Sequence, residues 1–171
     1  MKLRDEDFEN VDPGEPRPLI EEGVWPAQYL RKERIPPGRY EEKLYVWWKI
    51  FMSLDKGRSV VLPRYYNIER DEGGRLKFGH FHAFRRDWVQ SNNGRLPLEP
   101  NRFPLSIWER GHFRVEVVTV RKNNEGPLPP SLYWSRIGRI VGPLAEGEAW
   151  EGLPLQPFNS SEKNHRFSRG R

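Results

Sequence analysis

Apolar and polar positions alternate over several separate stretches of the chain, and a period of two predicts β-strands. The clearest stretch is Leu44-Tyr45-Val46-Trp47-Trp48-Lys49-Ile50-Phe51-Met52, inside a strand expected over 42–52. Leu44, Val46, Trp48, Ile50 and Met52 make one wholly apolar row, while Tyr45, Trp47, Lys49 and Phe51 make a row of aromatics with a cation among them. Successive side chains of a strand point to opposite faces. The first row, Trp48 included, is therefore expected in the core, and the second on the other face, either open to solvent or covered by a further layer.

The same reasoning gives a strand over 23–34, where Pro26 demands an edge position or a bulge. Another runs over 59–68, across the turn signal Asp55-Lys56-Gly57-Arg58. Strands over 112–122 and 132–141 follow; in the first of these Phe113, Val115, Val117 and Thr119 share a face. Between the third and fourth strands lie a short extra strand expected over 77–84 and a short helix over 86–92. The helix has Asp87 and Trp88 in its first turn and Gly94 closing it. Residues 123–130 read as a loop.

Three strands, a short helix and two strands are the element order of the OB-fold, a five-stranded Greek-key barrel. Its binding face lies on strands two and three, between the loops joining strands one and two and strands four and five. Over about residues 22–142, and on that element order, the chain resembles the OB-fold single-stranded-nucleic-acid-binding proteins carried by phages and mobile elements. The resemblance implies a mainly β, OB-like barrel domain at 22–142. Bacterial housekeeping members of that class end in an acidic, partner-binding tip, whereas this chain ends in Lys163, Arg166, Arg169 and Arg171.

Composition sharpens the picture in three ways. The chain has 171 residues, enough for one domain with tails, and carries seven Trp, six Tyr and nine Phe, a load that points to a folded centre. Its formal net charge of +5 favours an anionic partner. Charge is unevenly spread. Residues 1–21 combine acids with Pro13, Gly14, Pro16 and Pro18 and read as a flexible arm, and 143–171 read as an irregular to disordered basic tail. With no cysteine, disulfides, thiolate metal sites and cysteine nucleophiles are excluded. No run of about 18 apolar residues occurs, so no membrane partner is expected. The opening Met1-Lys2-Leu3-Arg4-Asp5-Glu6 lacks the apolar core of a signal peptide, and a cytoplasmic location is expected.

The candidate chemistry is binding, with no enzyme activity and no cofactor expected. Aromatic rings with cations between them on an outer sheet face offer flat surfaces for bases and charge for phosphates. Tyr45, Trp47, Lys49 and Phe51 would adjoin Arg64 and Tyr66, or Tyr65, on the third strand, with Arg121, Lys122 and Arg136 meeting phosphates. The expected partner is single-stranded DNA or RNA, DNA first, bound with little sequence preference. A protein–protein interaction module, such as a phage-encoded inhibitor or an assembly subunit, would use the same aromatic anchors, and self-association is compatible with either. A third reading starts from Gly79-His80-Phe81-His82-Ala83, whose His spacing is similar to that of the HUH endonucleases, metal-dependent nickases of single strands. That family also needs a tyrosine on a later helix, and here the only later tyrosine is Tyr133, in an expected strand. No metal site is assigned.

Overall fold

A computed structural model describes residues 17–38, 41–53, 58–79, 82–100 and 102–145, the side chain of Ser53 excepted. The long strands are β1 (Gly23–Ile35), β2 (Lys43–Ser53), β3 (Arg58–Asn67) and β4 (His112–Val120). The two-residue strands β5 (Lys122–Asn123) and β6 (Gly126–Pro127) form a small hairpin, and β7 (Trp134–Pro143) is the last long strand. Helix α1 (Ala83–Ser91) and the single turn α2 (Ser106–Glu109) separate β3 from β4.

The five long strands form one antiparallel sheet in the order β3-β2-β1-β4-β7. Two hairpins build β1 to β3, and β4 returns through the helices to lie beside β1, which is the Greek-key order. No hydrogen-bonded ladder joins β3 to β7 among the described residues. Among those residues, no helix is long and apolar enough to cross a membrane.

The apolar row of β2 is core, as its alternation predicts: Val46, Trp48 and Ile50 are fully buried. Ala27, Leu62, Tyr66, Phe113, Val115 and Val117 complete that face, and the helices add Phe84, Trp88 and Trp108. Trp48 sits edge-on to both Trp108 and Phe113, with ring centroids 5.7 Å away in each case, a geometry aromatic quadrupoles favour.

Bulges decide which side chains reach which face. In β1, Tyr29 pairs with Trp48 but Arg31 pairs with Trp47, so Leu30 is the extra residue. Without it, Arg31 would share the core face with Tyr29; the inserted residue turns Arg31 outward beside Trp47. In β7, Ile137 and Ile140 are three apart, a spacing that puts residues on opposite faces of a regular strand. The register skips Gly138, and both isoleucines are buried. A Cβ on Gly138 would stand 3.0 Å from a Val118 methyl, so a larger residue at the bulge would need Val118 to shift. Pro26 lies where β1 pairs with β4 but not yet with β2, so its missing N–H interrupts at most one ladder.

Several expected boundaries move. Of the strand expected over 77–84, residues 80 and 81 lie outside the described residues; residues 77–79 carry no strand, the isolated bridge Arg70–Leu76 ends just before them, and α1 already begins at Ala83. His82 starts the helix early by capping it, its Nδ1 accepting from the Phe84 N–H at 3.1 Å. The helix ends as its sequence predicts. Gly94 takes the left-handed region at φ 76° and donates its N–H to the Val89 carbonyl at 2.8 Å. The expected loop 123–130 holds the β5–β6 hairpin. Of the arm expected over 1–21, residues 1–16 lie outside the described residues. From Arg17 the chain runs against β7: Ser135 N–H donates to the Pro18 carbonyl at 2.8 Å, and Ile20 is buried with its N–H on Ser135 Oγ at 2.8 Å. Of the tail expected over 143–171, Pro143 belongs to β7, and residues from 146 on lie outside the described ones.

Glu42 clips the start of β2 to its neighbours. Its carboxylate accepts from Arg34 Nε at 2.6 Å and from Arg70 Nε and Nη2 at 2.9 and 2.8 Å. The Arg70 fork, with Arg34 beside it, lowers the Glu42 pKa from 4.5 to about 2. A depressed carboxylate pKa stabilises the fold above the unfolded value, and the contribution is lost as pH falls through the folded value. The urea midpoint should therefore fall between pH 4.5 and 2, and fall less steeply in Glu42→Gln; equal slopes in both proteins would remove Glu42 as the cause.

Candidate nucleic-acid interface

The outer face of β2 and β3 carries a continuous row of rings. Tyr45 and Tyr65 are direct cross-strand partners and stack with centroids 5.7 Å apart and planes 29° from parallel. Tyr45 also stacks on Trp47, two residues along its own strand, at 6.0 Å and 28°. All three rings are half-buried, and both helices send their aromatics to the opposite, core face. Pro63, the cross-strand partner of Trp47, is buried.

Cations from three strands surround the row. The Arg31 guanidinium lies 4.9 Å from the Trp47 ring centroid, and the Lys43 ammonium 5.1 Å from that of Tyr65. Arg136, from the far edge of the sheet, lies 5.4 Å from the same Tyr65 ring. This last approach brings β3 and β7 together across the unpaired edge. One carboxylate joins the group: Glu33 Oε2 is 3.4 Å from Trp47 Nε1.

Tyr65 also leads into a cleft of about 630 Å³ walled by Lys122, Asn123 and Asn124 of the small hairpin and by Tyr133 and Trp134 before and in β7. Arg17 covers Trp134 with its guanidinium 4.5 Å from the ring. Rings and amide side chains thus continue past the sheet to the connection between β4 and β7.

Of the residues the sequence nominates, Tyr45, Trp47 and Arg136 meet in the row, and Lys122 lines the adjoining cleft. Lys49 and Phe51 lie farther along the same face, the ammonium 5.4 Å from the Phe51 ring, and Phe51 lies 5.9 Å from His112. Arg121 stays exposed but is engaged by Glu22 at 3.1 Å and lies 5.8 Å from the Tyr133 ring. The backbone N–H of Thr119, together with Arg121, holds the Glu22 carboxyl below its usual range. That carboxylate partly neutralises Arg121.

Arg64 and Tyr66, expected on the binding face, belong instead to the interior. They pair with Val46 and Leu44, the core row of β2, and both are buried. Arg64 Nε donates to Asp87 Oδ2 at 2.7 Å, and the Tyr66 hydroxyl donates to the same oxygen at 2.8 Å. The Ile140 N–H reaches Asp87 Oδ1 at 3.2 Å. Burial, and the Asp87 charge beside it, push the Tyr66 phenol well above its ordinary value, so it remains a neutral donor. Asp87 thereby ties α1 to β3 and β7 at once. Register leaves Tyr65, the other option on this strand, as the ring beside Tyr45.

Lys43, Arg17 and Trp134 were not nominated by the sequence. For two of them the signal is strand parity: Lys43 continues the Tyr45–Trp47 row, and Trp134 shares its face with Arg136. Arg17 gives no such signal, since it lies before the first strand.

His82 serves the helix. With Nδ1 accepting from Phe84, its Nε2 is the donor to the Asn67 carbonyl at 2.9 Å, so neither nitrogen has a lone pair for a metal. His80 lies outside the described residues, and no cluster of potential metal ligands occurs among the described ones. Compared with known proteins, the chain matches no family model, no curated protein and no solved structure.

Proposed function

We propose that the protein binds single-stranded nucleic acid with little sequence preference, stacking bases on Trp47, Tyr45 and Tyr65. Arg31, Lys43, Arg136 and Lys122 meet the phosphates. The observation that carries this reading is the half-open row of three rings with a cation at each end. Magnitudes support exchange of the guanidinium for a base. An exposed cation–π contact is worth about 0.5–1 kcal/mol, whereas a base stacked on an aromatic is worth about 1–3 kcal/mol. An entering base therefore displaces Arg31 or Arg136 from its ring, and the freed cation is beside the backbone that arrived with the base. Stacking accepts any base, hence the weak sequence preference. DNA is placed ahead of RNA on the resemblance in element order.

We read the sheet as an OB-like barrel with its seam between β3 and β7. Arg136 over Tyr65 and the two-strand grip of Asp87 support that reading. The row then lies on strands two and three, and the cleft beside it lies under the connection between strands four and five, as in OB-fold binding faces.

Glu33 favours a second reading. A carboxylate at the Trp47 indole opposes a nearby phosphate but suits a protein partner, for which Trp, Tyr and Arg are common anchors. Tryptophan fluorescence on titration with poly(dT), at low salt and then at roughly 0.2 M, separates the two, because phosphate binding falls steeply with salt. Saturable quenching that weakens with salt is the expected result. A folded protein with unchanged fluorescence at low salt would overturn nucleic-acid binding and leave the protein partner.

A further inference from the structure

A second cleft, of about 660 Å³, lies between α1 and β7, and its lining includes Arg64, Arg85, Arg86 and Arg139. Among the described residues its one lining carboxylate, Asp87, is fully occupied by Arg64, Tyr66 and the Ile140 N–H. Arg139 pairs with Glu116, which stands outside the cleft. Arg85 and Arg86 have no ion pair among the described residues; Arg85 only flanks Phe103, at 5.8 Å. Two guanidinium groups with no carboxylate partner among the described residues therefore face a concave site whose buried floor is a third, Arg64.

The fold uses Arg64, which Asp87 neutralises, and gains nothing evident from setting Arg85 and Arg86 side by side at the same mouth. Like charges repel, and an anion between them relieves that repulsion. Guanidinium forks match the oxygens of a phosphate in geometry as well as in charge.

The cleft also lies near the ring row along β7. Arg136 lies over Tyr65 at the edge of the row, and Gly138 and Arg139, two and three residues farther along β7, line the cleft. At about 3.3 Å per residue the separation is roughly 7–10 Å.

We propose that the arginine cleft is a phosphate site, and that the phosphate it takes belongs to the strand leaving the ring row. The second half of that statement rests on the nucleic-acid reading above. A free phosphorylated small molecule has the same chemistry, and the test separates the two sources.

The test uses Arg85→Ala/Arg86→Ala, in which alanine preserves helix propensity. Its affinities for labelled (dT)4 and (dT)12 are measured across a salt series, with pyrophosphate titrated by calorimetry. The expected result is that the variant binds (dT)12 about tenfold more weakly. Its salt slope should be shallower by roughly 0.7 for each phosphate that is no longer neutralised, with (dT)4 affinity and tryptophan quenching unchanged. Unaltered (dT)12 affinity and slope, with quenching intact, would overturn the cleft and leave the ring row standing. If no oligomer quenches, the ring row fails, and pyrophosphate decides. Binding that the variant abolishes keeps the phosphate site and gives it a free phosphorylated ligand; no binding to the wild type overturns the site as well.

Discussion

Asp87→Ala should destabilise the protein by about 3–5 kcal/mol, the usual cost of removing one partner of a buried ion pair. Arg64 and Asp87 are only 8% and 4% exposed at their side chains, so water entering from the arginine cleft replaces the missing carboxylate only in part. Three donors are left without their acceptor together: Arg64 Nε, the Tyr66 hydroxyl and the Ile140 N–H. Since a domain of this kind has about 5–15 kcal/mol in hand, the variant will be near the limit of folding. Asp87→Asn keeps an acceptor oxygen but not the charge, and its destabilisation should be smaller. Urea unfolding followed by far-UV circular dichroism ranks the three proteins. Equal midpoints for wild type and Asp87→Ala would show that the pair contributes nothing to stability.

The same pair explains where the sequence is legible and where it is not. Apolar alternation in β2 identifies both faces, because Val46, Trp48 and Ile50 establish which parity is buried. In β3 the parities compete: one contains Val60, Leu62, Arg64 and Tyr66, the other Val61, Pro63 and Tyr65. An arginine in the first set argues that it faces water, and a buried arginine is costly unless paired. Its partner, Asp87, is 23 residues away on another element, and local patterning carries no trace of that pairing. The bulges are hidden for a similar reason. Leu30 sits in a strand with no glycine or proline beside it, so the change of face that sends Arg31 to Trp47 depends on register alone. Gly138 is a better clue, because a glycine within a strand often marks a bulge. The Greek-key order of strands follows from element order and connection length, whereas the relation of β3 to β7 depends on contacts between elements far apart in the chain.

Trp47→Ala and Tyr65→Ala should each weaken binding to single-stranded DNA by about 5- to 150-fold, the equivalent of about 1–3 kcal/mol for one stacked base. Neither ring is part of the core cluster, so both variants should fold. Tyr66→Phe is the control that makes the result specific. It removes the hydroxyl bonded to Asp87, and its cost should appear in stability, about 1 kcal/mol, while leaving DNA affinity unchanged. Adjacent tyrosines on one strand thus give opposite signatures, because successive side chains emerge on opposite faces. A protein partner on the same face would also depend on Trp47 and Tyr65, but it would not show the salt slope of phosphate binding. The decisive comparison is therefore anisotropy of labelled (dT)12 with wild type, Tyr65→Ala and Tyr66→Phe over a range of salt. If Tyr66→Phe weakens binding as much as Tyr65→Ala, the ring row is not the surface that meets the bases. If only Tyr65→Ala weakens it, while the salt slope is retained, the stacking and phosphate contributions have been separated, with the former assigned to Tyr65.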